Sequence, residues 1–273
     1  MGFNFLDNRT MNFKNKTVWI TGASSGIGEA LAYELSNQGA NLVLSARREE
    51  ALKAVAKNCN SNVQIWIETL DVAHFASLPE KAKNAIQKAG QIDILINNAG
   101  VSQRSLAKDT DFSVDERLIN INLLGTIALT KAVLPYMLTR KTGHFVVMSS
   151  LMGKFSSPLR SSYAAAKHGL HGFFDALRME IEPEGLQVTM VCPGFIKTDI
   201  SKNALVGDGE KQGKMDDAQD AGMLPSELAK KVANAIYKKK DEVYFGGKET
   251  LAIYLKRLSP KLLKKVVMGS KVT

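Results

Sequence analysis

Three side chains with proton-carrying and hydrogen-bonding groups are spaced as a proton-transfer site requires. Tyr163 and Lys167 are four residues apart in a segment with helical spacing of apolar residues, so both lie on one helix face. A free tyrosine has a pKa of about 10, and a neighbouring ammonium group lowers that pKa because it favours the phenolate. Ser150, 13 residues upstream of Tyr163, could hydrogen-bond to a substrate oxygen as charge develops on it. The trio predicts that Tyr163 gives a proton to a carbonyl or takes one from an alcohol.

A glycine-rich turn provides a candidate nucleotide site. Residues 21–28 follow an apolar strand and lead into a helix rich in Ala, Leu and Glu. Glycines let the backbone approach a pyrophosphate, and the N–H groups at the helix N-terminus attract its negative charge. The spacing Gly-x-x-x-Gly-x-Gly is one residue longer than the usual dinucleotide fingerprint. The turn predicts dinucleotide binding, and a purely structural turn is the alternative.

The end of the second strand indicates which dinucleotide. A carboxylate there would bind the free ribose hydroxyls of NAD, but the strand at 41–45 is followed by Ala46, Arg47 and Arg48. Two guanidinium groups suit the 2′-phosphate of NADP. The sequence therefore favours NADP(H), unless both arginines simply lie on the surface at the start of the next helix.

These candidate residues need a scaffold of alternating strands and helices. Strand-length apolar runs occur at 17–21, 41–45, 63–70, 92–96, 144–149, 188–192 and 242–245. Helical spacing of apolar residues occurs at 27–36, 78–88, 114–138, 162–181 and 225–238. Such alternation predicts a doubly wound α/β domain, in which about seven parallel strands carry helices on both faces.

One segment interrupts the alternation. Residues 195–224 are polar and Gly-rich, show little periodicity and directly follow a strand. Ligands of open α/β sheets lie beyond the carboxyl ends of the strands, so a long insertion at this point is expected to cover a bound substrate. The segment is therefore predicted to be a mobile lid, with a disordered excursion that has no role as the alternative.

Residues 12–245 resemble the short-chain dehydrogenase/reductase family. Residues 21–28 match its cofactor loop, residues 97–100 the motif that steadies its central sheet, and the Ser-Tyr-Lys trio its catalytic set. The resemblance implies a Rossmann domain over residues 12–250, hydride transfer between a nicotinamide and a carbonyl or alcohol, and a homodimer or homotetramer. The resemblance also implies that Asn122 anchors a proton-relay water, which gives the predicted catalytic residues Asn122, Ser150, Tyr163 and Lys167.

The predicted cofactor contacts come from the glycine turn, the two arginines and the family motifs. Of these, Asp71 and Val72 match the pair that borders the adenine, and residues 193–198 match the segment that holds the nicotinamide carboxamide. The full set is Gly22, Ser24, Ser25, Gly26, Ile27, Gly28, Arg47, Arg48, Asp71, Val72, Asn98, Ala99, Gly100, Tyr163, Lys167, Pro193, Gly194, Ile196 and Thr198.

Three short stretches, 100–105, 213–216 and 251–255, resemble the member-7 group of mammalian dehydrogenase/reductases. That finer resemblance implies a lipophilic carbonyl substrate of the steroid, retinoid or acyl-dihydroxyacetone phosphate type. The alternative from another functional class is a nucleotide-binding regulator that uses the same fold without chemistry. A Tyr-x-x-x-Lys pair alone is also typical of helix packing, but a regulator has no chemical need for the complete Ser-Tyr-Lys set, so an enzyme is favoured.

Composition excludes several other classes of protein. Two cysteines, Cys59 and Cys192, in 273 residues argue against a disulfide scaffold and against a cysteine-rich zinc domain, and they fit a reducing cytoplasm. The four histidines show no metal-ligand spacing, so no metal site is predicted. Neither a leader pattern at the start nor an uninterrupted apolar run of about 18 residues occurs, so the sequence predicts an unprocessed chain without a membrane span.

Positive charge is concentrated at the C-terminus. Residues 230–273 carry 12 basic and 3 acidic residues, whereas the first 229 residues carry 24 of each. Residues 251–273 form a basic amphipathic extension that could contact an anionic membrane, pack on a partner subunit or cap the pocket of its own chain. A purely solvated surface remains open as well, and nucleic acid is the least favoured partner.

Overall fold

The computed structural model describes residues 11–270, and within them seven strands form one sheet. The strands are β1 (Thr17–Thr21), β2 (Asn41–Ser45), β3 (Ile65–Ile67), β4 (Ile94–Asn97), β5 (Gly143–Met148), β6 (Leu186–Pro193) and β7 (Glu242–Phe245). Their order is β3-β2-β1-β4-β5-β6-β7, and all neighbours pair in parallel. The order reverses between β1 and β4, which opens a crevice at the carboxyl ends of these strands. The predicted doubly wound fold is confirmed.

Helices cover both faces of this sheet. They are α1 (Gly26–Asn37), α2 (Glu49–Asn58), α3 (Leu78–Ala89), α4 (Phe112–Ile119), α5 (Gly125–Thr139), α6 (Ser161–Ile181), α7 (Asp217–Asp220), α8 (Pro225–Tyr237), α9 (Leu251–Leu258) and α10 (Pro260–Gly269). The helix predicted at 114–138 is α4 and α5, joined by a π-helical segment at Asn120–Leu124.

The third strand is shorter than the prediction of 63–70. β3 lies at the edge of the sheet and pairs only with β2, over three residues. Beyond it the chain still follows β2, because the amides of Glu68 and Leu70 donate to Leu44 and Ala46. The apolar run therefore marked the right place, but an edge segment with one neighbour keeps regular pairing over only part of its length.

The core consists of two apolar layers, one on each face of the sheet. Consecutive side chains of β1 point to opposite faces, so Val18 and Ile20 join one layer and Trp19 joins the other. The first layer includes Leu35 of α1, and the second includes Phe174 of α6. The central strands β1, β4, β5 and β6 are largely buried on both faces, and most of their residues are apolar, as expected for a parallel sheet, whereas the edge strands β3 and β7 are half-buried.

The continuous helix at 112–139 has the length and apolar composition to cross a membrane. In the fold, its residues Leu129, Val133 and Met137 are fully buried and pack in the second apolar layer together with strands β4 and β5. Burial against the sheet therefore accounts for part of the apolar composition of this helix.

Residues 195–224 form an ordered segment above the carboxyl ends of the strands. The Leu205 amide donates to the Ser102 carbonyl at 2.9 Å, and the Leu205 carbonyl accepts from the Arg104 amide at 2.8 Å. Closer to β6, the Met223 amide donates to the Phe195 carbonyl at 3.0 Å. The predicted lid segment is thus hydrogen-bonded to the loop after β4, and its last residues are hydrogen-bonded to its first.

The C-terminal helices α9 and α10 pack on the body of the chain. Pro260 begins α10, as suits a residue without a backbone N–H group, and separates it from α9. Leu263 is buried in a cluster with Leu151, Phe155 and Cys192. The inner face of this pair therefore caps its own domain, and residues 271–273 lie outside the described residues.

Candidate active site

A cavity of about 1160 Å³ lies beyond the carboxyl ends of the strands. It is large enough for a dinucleotide and a further small molecule. Its walls include every predicted catalytic and cofactor residue except Gly28. The topology thus brings together residues that are far apart in sequence, because the loops after β1, β2, β4, β5 and β6 all end at this edge of the sheet.

The glycine turn is shaped by backbone conformations and contacts that other residues would not fit. Gly22 and Gly26 have φ angles of +64° and +61°, a region that L-residues rarely adopt. A Cβ atom on Gly28 would meet the carbonyl oxygen of Gly22. Gly28 therefore lets α1 pack on the turn instead of lining the cavity. The N-terminus of α1, a region of partial positive charge, borders the cavity at Gly26 and Ile27.

Asn98, which follows the neighbouring strand β4, and Thr21, the last residue of β1, together brace this turn. The Asn98 side-chain amide donates to the Thr21 carbonyl at 2.9 Å and to the Gly22 carbonyl at 3.3 Å. The Thr21 hydroxyl accepts from the backbone amides of Asn98 and Ala99 at 3.0 and 3.1 Å. A separate role for Thr21 was not predicted, and its position at the end of a buried strand was the available signal.

Arg47 and Arg48 are exposed and border the cavity where β2 ends. The last residue of β2, Ser45, accepts a hydrogen bond from the indole of Trp19 at 2.8 Å and donates to the Glu68 carbonyl at 2.6 Å. The strand end therefore offers the cavity two cations, while the polar group of Ser45 is used inside the sheet. Asp71, on the next loop, accepts from the Ala73 amide at 3.0 Å and also lines the cavity.

Tyr163 and Lys167 lie on α6, and both are buried. The Lys167 Nζ atom is 5.7 Å from the centre of the Tyr163 ring and donates to the Met148 carbonyl at 2.7 Å. Burial lowers the pKa of Lys167 to about 8. The Ser150 hydroxyl accepts from the Met152 amide at 3.1 Å, which orients it at the end of β5. The three predicted groups therefore share one wall of the cavity.

The electrostatics of Tyr163 differ from the prediction. Burial raises the pKa of its hydroxyl above the usual value, because a phenolate loses hydration in the interior. A hydrogen bond with Ser150 and the positive charges of Arg104 and Arg160 act in the opposite direction. The Lys167 ammonium instead lies over the ring face, so helical spacing alone did not show which cations lower the pKa of this phenol.

A buried charge cluster joins three distant parts of the chain beside Tyr163. The Arg104 Nε and Nη2 atoms both donate to Asp216 Oδ2, at 2.8 and 2.5 Å. The Arg160 Nη2 atom lies 3.6 Å from the same oxygen. Sequence reasoning missed this cluster, although residues 100–105 and 213–216 are two of the stretches that resemble the member-7 group. The resemblance marked both stretches, but nothing in the sequence indicated that they contact each other.

Gln103 was also missed, and it holds the N-terminus of α6, the helix that carries Tyr163 and Lys167. Its side-chain oxygen accepts from the backbone amides of Ser162 and Tyr163 at 2.9 and 3.2 Å. The residue that precedes α6, Arg160, makes no side-chain cap of this helix. Gln103, which is fully buried, supplies that cap from another loop.

Asn122 lies in the π-helical segment and is fully buried. Its side-chain oxygen accepts from the Val101 amide at 3.1 Å, and its nitrogen donates to the carbonyls of Val101 and Leu118, both at 3.0 Å. The side-chain amide is therefore committed to the backbone around Val101. Insertion of a π turn at a functional position is a recurrent arrangement in helices.

His171, Asp175 and Glu242 have potential metal ligands within 4.8 Å of one another. The Lys154 ammonium already lies 2.7 Å and 2.9 Å from the two Glu242 oxygens. Burial lowers the pKa of His171 to about 4, so its ring is neutral at physiological pH. Asp175 is nearly half exposed and pairs with Arg178 at 2.9 Å, so the cations that these carboxylates contact are a lysine and an arginine.

The chain is similar to known proteins over most of its length. The family model described as short chain dehydrogenase matches residues 16–207. Dehydrogenase/reductase SDR family member 7B of Bos taurus is 40% identical over 257 residues, which are 91% of this chain and 79% of that protein. A short-chain dehydrogenase of Streptomyces avermitilis has a TM-score of 0.79 at 28% identity, with 94% of this chain and 98% of that chain covered.

An alcohol dehydrogenase of Thermococcus sibiricus was solved in complex with 5-hydroxy-NADP. Its TM-score with this chain is 0.74 at 25% identity, and the alignment covers 86% of this chain and 97% of that chain. The similarity therefore extends over nearly the whole of both proteins and includes one solved with an NADP derivative.

Proposed function

Because the chain belongs to the short-chain dehydrogenase family, we propose that it is an NADP(H)-dependent oxidoreductase that interconverts a carbonyl and an alcohol on a lipophilic substrate. The family uses NAD or NADP, and its members act on small molecules. The observation that carries the proposal is that Ser150, Tyr163 and Lys167 line the same cavity as the glycine turn. A cavity built only for regulation by a nucleotide would not need all three groups.

The glycine turn and the residues after β2 fit a dinucleotide. The positive φ angles of Gly22 and Gly26 create a turn without side chains beside the N-terminus of α1, which suits a pyrophosphate. Arg47 and Arg48 would hold the 2′-phosphate of NADP, because they are exposed cations at the end of β2. When bound, NADPH supplies the hydride.

Tyr163 is the proposed proton donor in the reducing direction. Its Oη atom gives a proton to the substrate carbonyl oxygen, and in the oxidising direction takes one from the alcohol. The Ser150 hydroxyl holds that oxygen in place. Lys167, with its pKa lowered to about 8, can exchange a proton close to neutral pH. Asn122 contributes by fixing the loop at Val101, since its side-chain amide bonds to that backbone.

The expected lipophilic substrate is supported by apolar residues in the wall of the cavity. Met152, Phe155, Leu205 and Val267 all line it, and Leu205 belongs to the same apolar cluster as Tyr163. Apolar walls with a few polar groups are typical of sites for lipophilic small molecules. Residues 195–224 supply Leu205, which supports their proposed role as a lid over the substrate.

A homodimer or homotetramer is also proposed. Phe112, Leu124 and Tyr136 are large apolar residues that are exposed along the helix at 112–139. A second copy of the chain packed on this helix would remove them from water. Sedimentation velocity of the full chain tests this proposal, and a monomer at micromolar concentration would contradict it.

The activity is tested by mixing the full chain with NADPH and a panel of lipophilic ketones and aldehydes. Oxidation of NADPH is expected, and Tyr163→Phe should reduce kcat by about 10²- to 10⁴-fold, the range associated with general acid catalysis. NADPH binding by the variant should stay at the wild-type level. Binding of NADPH by the wild type without turnover of any member of the panel would favour the regulator alternative.

A further inference from the structure

The outer face of the C-terminal helices is unusually apolar. Six of the 14 large hydrophobic residues that are exposed within residues 11–270 lie on α9 and α10: Leu251, Tyr254, Leu258, Leu262, Val266 and Met268. Leu258 is 83% exposed and Leu251 is 64% exposed. An apolar surface of this density is uncommon on a protein face that only water contacts.

Helical geometry gathers these side chains into stripes. Leu251, Tyr254 and Leu258 recur at intervals of three and four on α9, so they share one face. Leu262 and Val266 do the same on α10. The opposite face of the pair is already used, because Leu263 is buried against the domain. The two helices are therefore anchored on the inside and also apolar on the outside.

Basic residues surround the apolar stripes. Lys248, Lys256, Arg257, Lys261, Lys264 and Lys265 are all exposed, and the only acidic residue in 248–270 is Glu249. None of the six forms an ion pair with another residue in 11–270. The first 229 residues of the chain have equal numbers of acidic and basic groups, so this surface carries much of the net charge of +9.

We propose that α9 and α10 form a peripheral docking surface for a bilayer that contains anionic phospholipid. Exposed apolar side chains can enter the boundary between headgroups and acyl chains, while the flanking cations attract the negative lipid headgroups. The charge complementarity identifies the occupant, since a neutral apolar partner would leave six unpaired cations around its edge. The surface is called the tail surface below and consists of the six apolar and six basic residues named above.

The tail surface lies next to the mouth of the cavity. Val266, Val267 and Ser270 of the same region line that cavity, together with Ala252 of α9. A docked chain would therefore place the opening beside the bilayer, where a lipid-soluble molecule is concentrated. Docking itself does not depend on the proposed reaction, because it needs neither cofactor nor substrate.

The experiment is flotation of the full chain with vesicles, without nucleotide. Vesicles of phosphatidylcholine alone are compared with vesicles of phosphatidylcholine and phosphatidylserine. The wild type should float with the anionic vesicles and should be released by high salt, because screening weakens its attraction to the headgroups. Leu258→Glu, and Lys264→Glu combined with Lys265→Glu, should each weaken binding by about tenfold or more.

Matched controls separate the tail surface from general surface properties. Met179→Glu changes an apolar residue that is 72% exposed on α6, and Lys57→Glu combined with Lys83→Glu removes two exposed cations from α2 and α3. Both controls should float like the wild type. Thermal unfolding of every variant at the wild-type temperature establishes that each is folded.

Four outcomes would overturn the proposal. The first is a wild type that does not float with anionic vesicles. The second is equal loss of binding in the tail variants and the controls. The third is a dimer that Leu258→Glu converts to monomer, because the tail surface would then bind a second copy. The fourth is a wild type that is retained on DNA but does not bind vesicles, with the same retention in Leu258→Glu. The partner of the chain would then be nucleic acid and not a membrane.

Discussion

The two sides of the cavity are constructed differently. The glycine-turn side, formed by the loops after β1 and β2 and by Asn98 next to the end of β4, owes its shape to backbone conformation: Gly22 and Gly26 are at positive φ, and Asn98 bonds to the backbone of the turn. The Arg104 side is held by side chains from distant loops, such as Arg104 and Asp216, which are 112 residues apart. The first side is therefore rigid through local geometry, and the second depends on a few long-range contacts.

This difference has consequences for mutation. Local backbone geometry fails where a Cβ atom does not fit, and such damage should weaken cofactor binding in addition to a cost in stability. A buried charge cluster fails when one member is removed, because the remaining charges stay in the interior without a partner. Damage on the Arg104 side should therefore appear as lost stability and weaker substrate binding, with the cofactor affinity unchanged.

Asp216→Asn is expected to have the largest effect. It leaves the buried Arg104 guanidinium without its carboxylate partner, and removal of one member of a buried pair typically costs about 3–5 kcal/mol of unfolding free energy. Thermal or urea unfolding measures the loss. Asp220→Asn is the matched control on the same segment, because Asp220 is more than half exposed and pairs with Lys197 at 3.0 Å. That variant should lose no more than about 1 kcal/mol. Equal losses in the two variants would contradict the distinction.

The same carboxylate gives the Arg104 side a dependence on pH. Burial acts to raise the pKa of Asp216, but the hydrogen bonds and charges of its partners outweigh it, and the folded-state pKa lies below the ordinary value of 3.8. The contribution of Asp216 to stability is therefore present above that value and is lost as pH falls through the folded-state pKa. The difference in stability between wild type and Asp216→Asn should shrink in acid, and a constant difference down to acid pH would show that the charge is not responsible.

Gly28→Ala is the corresponding test on the glycine-turn side. The added Cβ would overlap the carbonyl oxygen of Gly22, and overpacking of this kind costs about 1–3 kcal/mol. The NADPH dissociation constant, measured by fluorescence, should rise by about tenfold or more. Gly172→Ala is the control, because nothing lies within 4 Å of a Cβ there, and alanine is the better helix former. Unchanged NADPH affinity in Gly28→Ala would mean that the turn adjusts easily.

The two sides of the cavity also differ in how much of each can be predicted from the sequence. Apolar runs located the strands because parallel strands are buried on both faces, and the glycine turn is visible because all its parts are within eight residues. The contact between Arg104 and Asp216 is not visible, because loop conformation determines which distant side chains meet. The orientation of Lys167 over the Tyr163 ring was missed for a related reason: helical spacing gives proximity but not the direction of a long side chain.

The two arginines after β2 offer a smaller test. Arg47→Ala combined with Arg48→Ala should raise the NADPH dissociation constant by about tenfold, because charge-assisted hydrogen bonds to a phosphate would be lost at an exposed site. The affinity for NADH, which lacks that phosphate, should stay the same, so the ratio of the two affinities is the measurement. Parallel losses for both nucleotides would place the arginines outside phosphate recognition.

The smallest expected effect concerns Gln103, which holds the N-terminus of α6, the helix that carries Tyr163 and Lys167. Gln103→Leu removes the oxygen that accepts from the amides of Ser162 and Tyr163, and loss of a helix cap costs about 1 kcal/mol. Because the second of these amides belongs to Tyr163, kcat should fall while NADPH affinity is retained. Gln103→Glu keeps an acceptor, and a negative charge is favourable at a helix N-terminus, so it should restore most of kcat. If both variants lose kcat equally, the Gln103 oxygen does not position Tyr163, and the side-chain nitrogen or the volume of residue 103 is what matters.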